Sequence, residues 1–213
     1  ELLNISKEIL IQWISEGKIP AYRIKEQYRF NRQEIENWLL RQKQSAMKQT
    51  TPSRTKGQDH FNLYRAIHKG DVITDITSDV KEIVLAQIAT RIAPQLKLDP
   101  DILTEHLLER ERLMPTALGH GFGIPHTKDF LLRSQHDTVV VVFLQKPINY
   151  GSLDKESVHT LFFLLACNDR QHLALLSKIA HLVQSSAMRD ILNTHPPKRK
   201  LLSSIKDWEA TLL

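Results

Sequence analysis

Of its 213 residues, this chain spends only one on cysteine, Cys167. A lone thiol cannot close an intrachain disulfide, so an apolar core must hold the fold together. No apolar run reaches the ~18–20 residues needed to cross a bilayer. The longest, Val139–Leu144 and Leu161–Cys167, have the length of strands. A basic stretch followed by a long apolar one is missing at the N-terminus, so no secretory leader is read. Metal-ligand spacing is missing too: His106, His120, His126 and His172 fit no short ligand motif, and no patterned carboxylate joins them. A metal hydrolase is therefore a poor reading, and neither metal nor cofactor is expected. No starting Met is present, and Glu1-Leu2-Leu3 reads as the inside of a helix, as though a few native residues preceded it. These absences fit a cytoplasmic protein with no membrane insertion. The hydrophobic fraction of 41% is enough for an ordinary core.

Net charge is missing from most of the chain. Residues 57–213 hold eighteen Lys or Arg and eighteen Asp or Glu, whereas residues 1–56 hold eleven against six. The whole formal excess of +5 thus sits on the first quarter. A basic module joined to a neutral one suggests that the first part alone meets a polyanion, although a basic face also serves solubility. Between them, Arg41 to Asp59 reads RQKQSAMKQTTPSRTKGQD, which is polar and offers almost nothing to bury. That is linker composition. The expected division is a module over 1–42, a linker over 43–58 and a second domain over 59–213.

In the first module, Ser6 is placed to cap a helix carrying Ile9, Leu10, Trp13 and Ile14 at helical spacing, with Gly17 ending it. Ala21–Ile24 and Tyr28–Phe30 read as short strands around a Lys25-Glu26-Gln27 turn. Asn31 with Glu34 resembles a capping box for a helix through Ile35, Trp38 and Leu39. The residues Leu3-Asn4-Ile5-Ser6, Trp13 to Arg23 and Tyr28-Arg29-Phe30 resemble the excisionase-type, MerR-like winged helix-turn-helix family. That resemblance implies DNA as a partner, with Ser6, Lys7 and Gln12 near bases and Arg23, Lys25 and Arg29 near phosphates. Cations on a protruding hairpin release counterions from a polyanion, which agrees with it. Glu8 and Glu16 on the reading helix argue the other way, and the four aromatics Trp13, Trp38, Tyr22 and Phe30 read as core.

The second domain alternates helical and strand patterns. His60–His68 reads as a helix and Asp71–Ile76 as a strand. Ser78 or Asp79 should cap a helix through Ile83, Leu85, Ile88, Ile92 and Leu96. Asp99-Pro100 opens another, carrying Ile102, Leu103, Leu107 and Leu108. Thr138–Gln145 and Val158–Cys167 read as strands built on the apolar runs Val139–Leu144 and Leu161–Cys167, as strands covered on both faces are, and Gln171–Gln184 is again helical. The expected fold class is α/β, a mixed sheet with helices on both faces, beside the small winged helix-turn-helix domain.

The most informative stretch is Gly119-His120-Gly121-Phe122-Gly123-Ile124-Pro125-His126. Three glycines in five residues allow a sharp turn and close approach, and Pro125 fixes the backbone before His126. Together with Leu107-Leu108-Glu109-Arg110-Glu111-Arg112-Leu113, this stretch resembles the type-2 enzyme IIA domain of the bacterial phosphotransferase system. The similarity extends through Val139–Phe143, Pro147-Ile148, Leu161–Leu165 and His172-Leu173. It implies a stoichiometric phosphoryl carrier with His126 as the phosphorylated histidine, Arg110 on the phosphoryl oxygens and His172 beside them. An HPr-type or nitrogen-branch phosphocarrier is implied as donor, and an enzyme IIB or a regulated protein as acceptor. Gly119, Gly121 and Gly123 are expected to form a phosphate-binding loop through their backbone N–H groups. Arg112 rivals Arg110, His120 reads as a loop surface group, and Cys167 reads as packing. Phe122 and Gly123 depart from the family pattern without removing a reacting group. The sequence keeps a second reading open: a DNA-binding regulator whose IIA-like domain senses or docks without transferring phosphate.

Overall fold

In the computed structural model the described residues are 14, 22–24, 27–29, 62–127, 131–132 and 136–212. The chain divides into two compact units, Glu1–Thr55 and Lys56–Leu213. In the first, β1 (Tyr22–Ile24) and β2 (Gln27–Arg29) pair antiparallel, with Tyr22 opposite Arg29, Arg23 opposite Tyr28 and Ile24 opposite Gln27. Gln27, expected in the turn, belongs to β2. Ile14 is helical. The proposed DNA-facing residues Ser6, Lys7, Gln12 and Lys25, the cap at Asn31 and the linker over 43–58 lie outside the described residues.

The second unit follows the order α1 (Asn62–Lys69), β3 (Val72–Ile76), α2 (Lys81–Leu96), α3 (Pro100–Leu113), β4 (Ala117–Gly119), β5 (Phe122–Gly123), β6 (Thr138–Ile148), β7 (Val158–Leu165), α4 (Asp169–Gln184), α5 (Ser186–Asn193) and α6 (Lys198–Ala210). The five strands form one mixed sheet in the order β3-β6-β7-β5-β4. The central pair β6–β7 is antiparallel, while β3–β6 and β5–β7 are parallel. Side chains alternate across a strand, so Val140, Val142 and Leu144 enter one buried layer and Val139, Val141 and Phe143 the other. Helices α2 and α3 pack on the first face, and α1, α4, α5 and α6 on the second. Both faces being covered is why the two central strands carry unbroken apolar runs, Val139–Leu144 and Leu161–Leu165, rather than alternating ones.

Helix starts are where the sequence reading needed correction. Asp99 does cap α3, accepting from the N–H groups of Asp101 and Ile102, with Pro100 in the first turn. Neither Ser78 nor Asp79 caps α2. The residue before that helix is Val80, which has no side-chain cap, and Ser78 Oγ accepts only the Val80 N–H. Ile83, one of the apolar residues named for that helix, is 49% exposed.

The start of α1 is held by a remote carboxylate. Glu209 of α6, wholly buried, accepts from the N–H groups of Leu63 (3.2 Å) and Tyr64 (2.9 Å) and pairs with Lys178 of α4. An anion at a helix N-terminus satisfies orphan donors and meets the positive end of the helix dipole.

Candidate functional site

Three of the residues singled out by sequence meet at one end of the sheet. His126 follows β5 and bridges to Leu164 of β7 in parallel register, which extends the sheet by one residue past Pro125. Arg110 comes from the last turn of α3, and His172 from the first turn of α4. The Arg110 Nε–H donates to His126 Nε2 at 3.0 Å, and the two imidazole rings stand edge to face with centroids 5.0 Å apart. Arg112, two positions along α3, is exposed; Arg110 is the arginine that reaches the histidine.

The hydrogen bonds fix the tautomer of His126. A guanidinium only donates, so Nε2 must be the bare, accepting nitrogen. The proton then lies on Nδ1, which donates to the Ile124 carbonyl at 2.8 Å. The lone pair on Nε2 is therefore the nucleophilic one, and it points at a cation.

Electrostatics keep that ring neutral. His126 is only 7% exposed. Burial is the main cause that lowers its pKa, to about 4; the Ile124 carbonyl opposes this, while the nearby Arg110 and His172 push the same way. His172 is lowered as well, first by burial, against the pull of Asp169. Above pH 6.5 the folded and unfolded rings are both neutral. As pH falls from 6.5 towards 4 the unfolded chain binds the proton first, so stability is lost in that window, by of order 3 kcal/mol in all. An NMR titration of the His126 ring is expected to show no protonation at pH 5.5, where an ordinary imidazole is mostly charged. A midpoint near 6.5 would contradict the buried, cation-flanked setting.

A second layer anchors these groups. Glu111, buried at 5% exposure, accepts from Thr116 N (3.1 Å to Oε1), Thr116 Oγ1 (2.6 Å) and Tyr150 Oη (3.2 Å), with Lys81 Nζ 3.5 Å away. Burial and the Glu111 charge push the Tyr150 hydroxyl far above its ordinary range, so it stays a donor. In the sequence Glu111 was named only as part of the Leu107–Leu113 stretch, with no role of its own. The signal was present: Leu103, Leu107 and Glu111 lie four residues apart, the spacing of one buried helix stripe.

The glycine loop is a correction. Gly119 and Gly121 do adopt positive φ, +84° and +80°, with His120 between them at +53°. They form the β4–β5 hairpin, however, and β5 then runs away from it. Phe122 pairs with Thr160 near the start of β7, whereas His126 bridges to Leu164. Five extended residues put the turn roughly 16 Å from His126, too far to hold a phosphate there. Instead the His120 N–H is taken by Asp154, and the ring of His159 fills the space where Gly121 has no side chain. Gly123 does not turn at all; a β-carbon there would meet Leu161 at 2.8 Å, so its role is close packing. His120 is exposed, as read. Cys167 is partly buried against the core, its N–H donating to Asp137. Among the described residues no three His, Cys, Asp or Glu side chains gather as a metal site would require, and no helix is long and apolar enough to cross a membrane.

Comparison with known proteins gives this geometry its context. The family model described as "Phosphoenolpyruvate-dependent sugar phosphotransferase system, EIIA 2" matches residues 65–208, and one described as "Helix-turn-helix domain" matches residues 1–43. The "Nitrogen regulatory protein" of Pseudomonas aeruginosa is 31% identical over 150 residues, covering 69% of this chain and 96% of that protein. Its namesake in Escherichia coli is 32% identical over 137 residues, covering 62% and 81%. The crystal structure of nitrogen regulatory protein IIA-Ntr from Neisseria meningitidis superposes with a TM-score of 0.61 at 21% identity, covering 67% of this chain and 98% of that one, which bears on the fold alone. From Arg65 to Trp208, then, the chain belongs to the EIIA type-2 family of the phosphoenolpyruvate-dependent phosphotransferase system, and it carries a helix-turn-helix domain ahead of that region.

Proposed function

We propose that this protein is a regulatory phosphocarrier in which His126 Nε2 accepts a phosphoryl group from an HPr-type or nitrogen-branch phosphohistidine donor. The observation that carries the reading is the pair of hydrogen bonds on the ring. Nδ1–H to Ile124 O leaves the Nε2 lone pair facing Arg110. In the transfer, Nε2 attacks phosphorus, a new N–P bond forms, and the N–P bond to the donor imidazole breaks. Charge spreads over three equatorial oxygens, which need fixed donors. Arg110 commits two of its N–H groups, to His126 and to the Met114 carbonyl, and three of its five remain for those oxygens. His172 and the N-terminal turn of α4 supply further favourable polarity.

The similarity to nitrogen regulatory proteins and the helix-turn-helix region support a regulatory output, with DNA as a partner through the basic first module and an enzyme IIB or a regulated protein as acceptor. Phosphorylation is then read out as altered binding. Incubation with phosphoenolpyruvate, enzyme I and the phosphocarrier, followed by peptide mapping, should place one acid-labile phosphate on His126. Label on any other residue overturns the assignment.

One observation favours a second reading, in which the domain docks or senses without transferring. The ring is nearly buried, and its nucleophilic nitrogen is already engaged. A protein that takes no label, yet binds DNA with a steep loss as salt rises, would support that reading.

A further inference from the structure

We propose that Glu111 is a positioning residue that sets the tautomer of His126 through a relay of hydrogen bonds, an inference that rests on the reading of His126 as phosphoryl acceptor. The relay is continuous. The Glu111 carboxylate accepts the Thr116 N–H at 3.1 and 3.2 Å to its two oxygens. The carbonyl of the same Thr116 accepts the Ile124 N–H at 2.9 Å. Ile124 in turn offers its carbonyl to His126 Nδ1–H at 2.8 Å. Every link is buried: Glu111 is 5% exposed, Thr116 5%, Ile124 3% and His126 7%.

Chemistry explains why a carboxylate stands at the head of the relay. Three donors converge on its two oxygens: Thr116 N–H, Thr116 Oγ1–H and Tyr150 Oη–H, with the Lys81 ammonium beside them. Only an acceptor-only group can receive them all. An amide of the same shape has one accepting oxygen and turns an NH₂ towards donors. The Thr116 peptide would then shift, and Ile124 with it. Once the Ile124 carbonyl is displaced, Nδ1–H loses its acceptor and only the Arg110 Nε–H still favours that tautomer, while a proton on Nε2 removes the attacking lone pair. Glu111 also adjoins Arg110 on α3, so one turn of helix supplies both the cation facing Nε2 and the anchor that keeps Nε2 bare. Glu111 is not a catalytic residue: none of its bonds reaches the ring directly.

The test uses the full chain with ¹⁵N-labelled histidine. Long-range ¹H–¹⁵N spectra should show wild-type His126 as the Nδ1–H tautomer at neutral pH. Glu111→Gln should move the ring towards a mixture of tautomers and lower the phosphoryl uptake rate at saturating donor about tenfold, with the half-saturating donor concentration unchanged. Thr116→Val keeps both backbone links and should leave the tautomer as in the wild type. Should Glu111→Gln fail to fold, Glu111→Asp decides the matter, since a shortened arm strains the same link and should move the ring in the same direction. A folded Gln or Asp variant with an unaltered ring spectrum overturns the proposal. A wild type that takes no phosphate, but whose tautomer still answers to Glu111, sinks the transfer reading and leaves this one standing.

Discussion

Replacing Arg110 with alanine is expected to slow phosphoryl uptake at His126 by about 10²–10³-fold, the usual cost of removing one preorganised donor from a transition state. The expectation follows from what the side chain does in the resting protein. Its Nε lies 3.0 Å from His126 Nε2, so the guanidinium already stands where phosphoryl oxygens would gather in the proposed transfer. Lysine should rescue little: a point charge lacks the fork that bonds a ring nitrogen and two oxygens in one plane. The ring itself offers an internal control. Without Arg110 one of the cations that depress His126 is gone, so its titration should move up towards the ordinary value even as transfer slows. Single-turnover uptake from a phosphorylated donor, measured beside the NMR titration, checks both. Wild-type rates in the alanine variant would mean that Arg110 only covers the histidine.

Removing Glu209 should cost the carrier domain about 3–5 kcal/mol, the range for stripping one partner from a buried ion pair. Glu209→Ala leaves the Lys178 ammonium, whose side chain is 18% exposed, without its carboxylate, and strands the N–H groups of Leu63 and Tyr64 inside the protein. For a domain of this size the melting midpoint should fall by roughly 10–15 °C. Pairing it with Lys178→Met should recover only part of the loss. The charge is then gone, but the first turn of α1 still lacks its acceptor. Full recovery in the double variant would show that the helix start did not need Glu209.

Much of this was legible in the residues, and the rest was hidden for identifiable reasons. Unbroken apolar runs at 139–144 and 161–167 announced strands covered on both faces. The resemblance to the enzyme IIA family implied one site holding Arg110, His126 and His172, and the structure gathers the three. What stayed ambiguous was helical phase. Residues two apart on a helix differ by about 200°, so Arg110 and Arg112 cannot share a face. Choosing between them required knowing that Leu103, Leu107 and Glu111 form the inward stripe. A charged residue at the end of that stripe disguised it, because acids in a helix ordinarily face water. The glycines misled in a different way. Gly121 and Gly123 are called for by a neighbouring ring and a neighbouring leucine on β7, contacts between segments distant in sequence. Likewise α2 starts at Lys81 after Val80, with no side-chain cap, against the local signal at Ser78 and Asp79.

Arg110 holds two things at once: the imidazole of His126 and the Met114 carbonyl, the residue that closes α3. On the proposed transfer, a phosphoryl group would join them on the same planar group through the N–H donors that remain. Any reach of the guanidinium towards phosphate would slacken the closing turn of its own helix and the strand that follows. In that transfer, loading and unloading would thereby be tied to the firmness of a helix end, a change that a second macromolecule could feel without ever touching the modified ring.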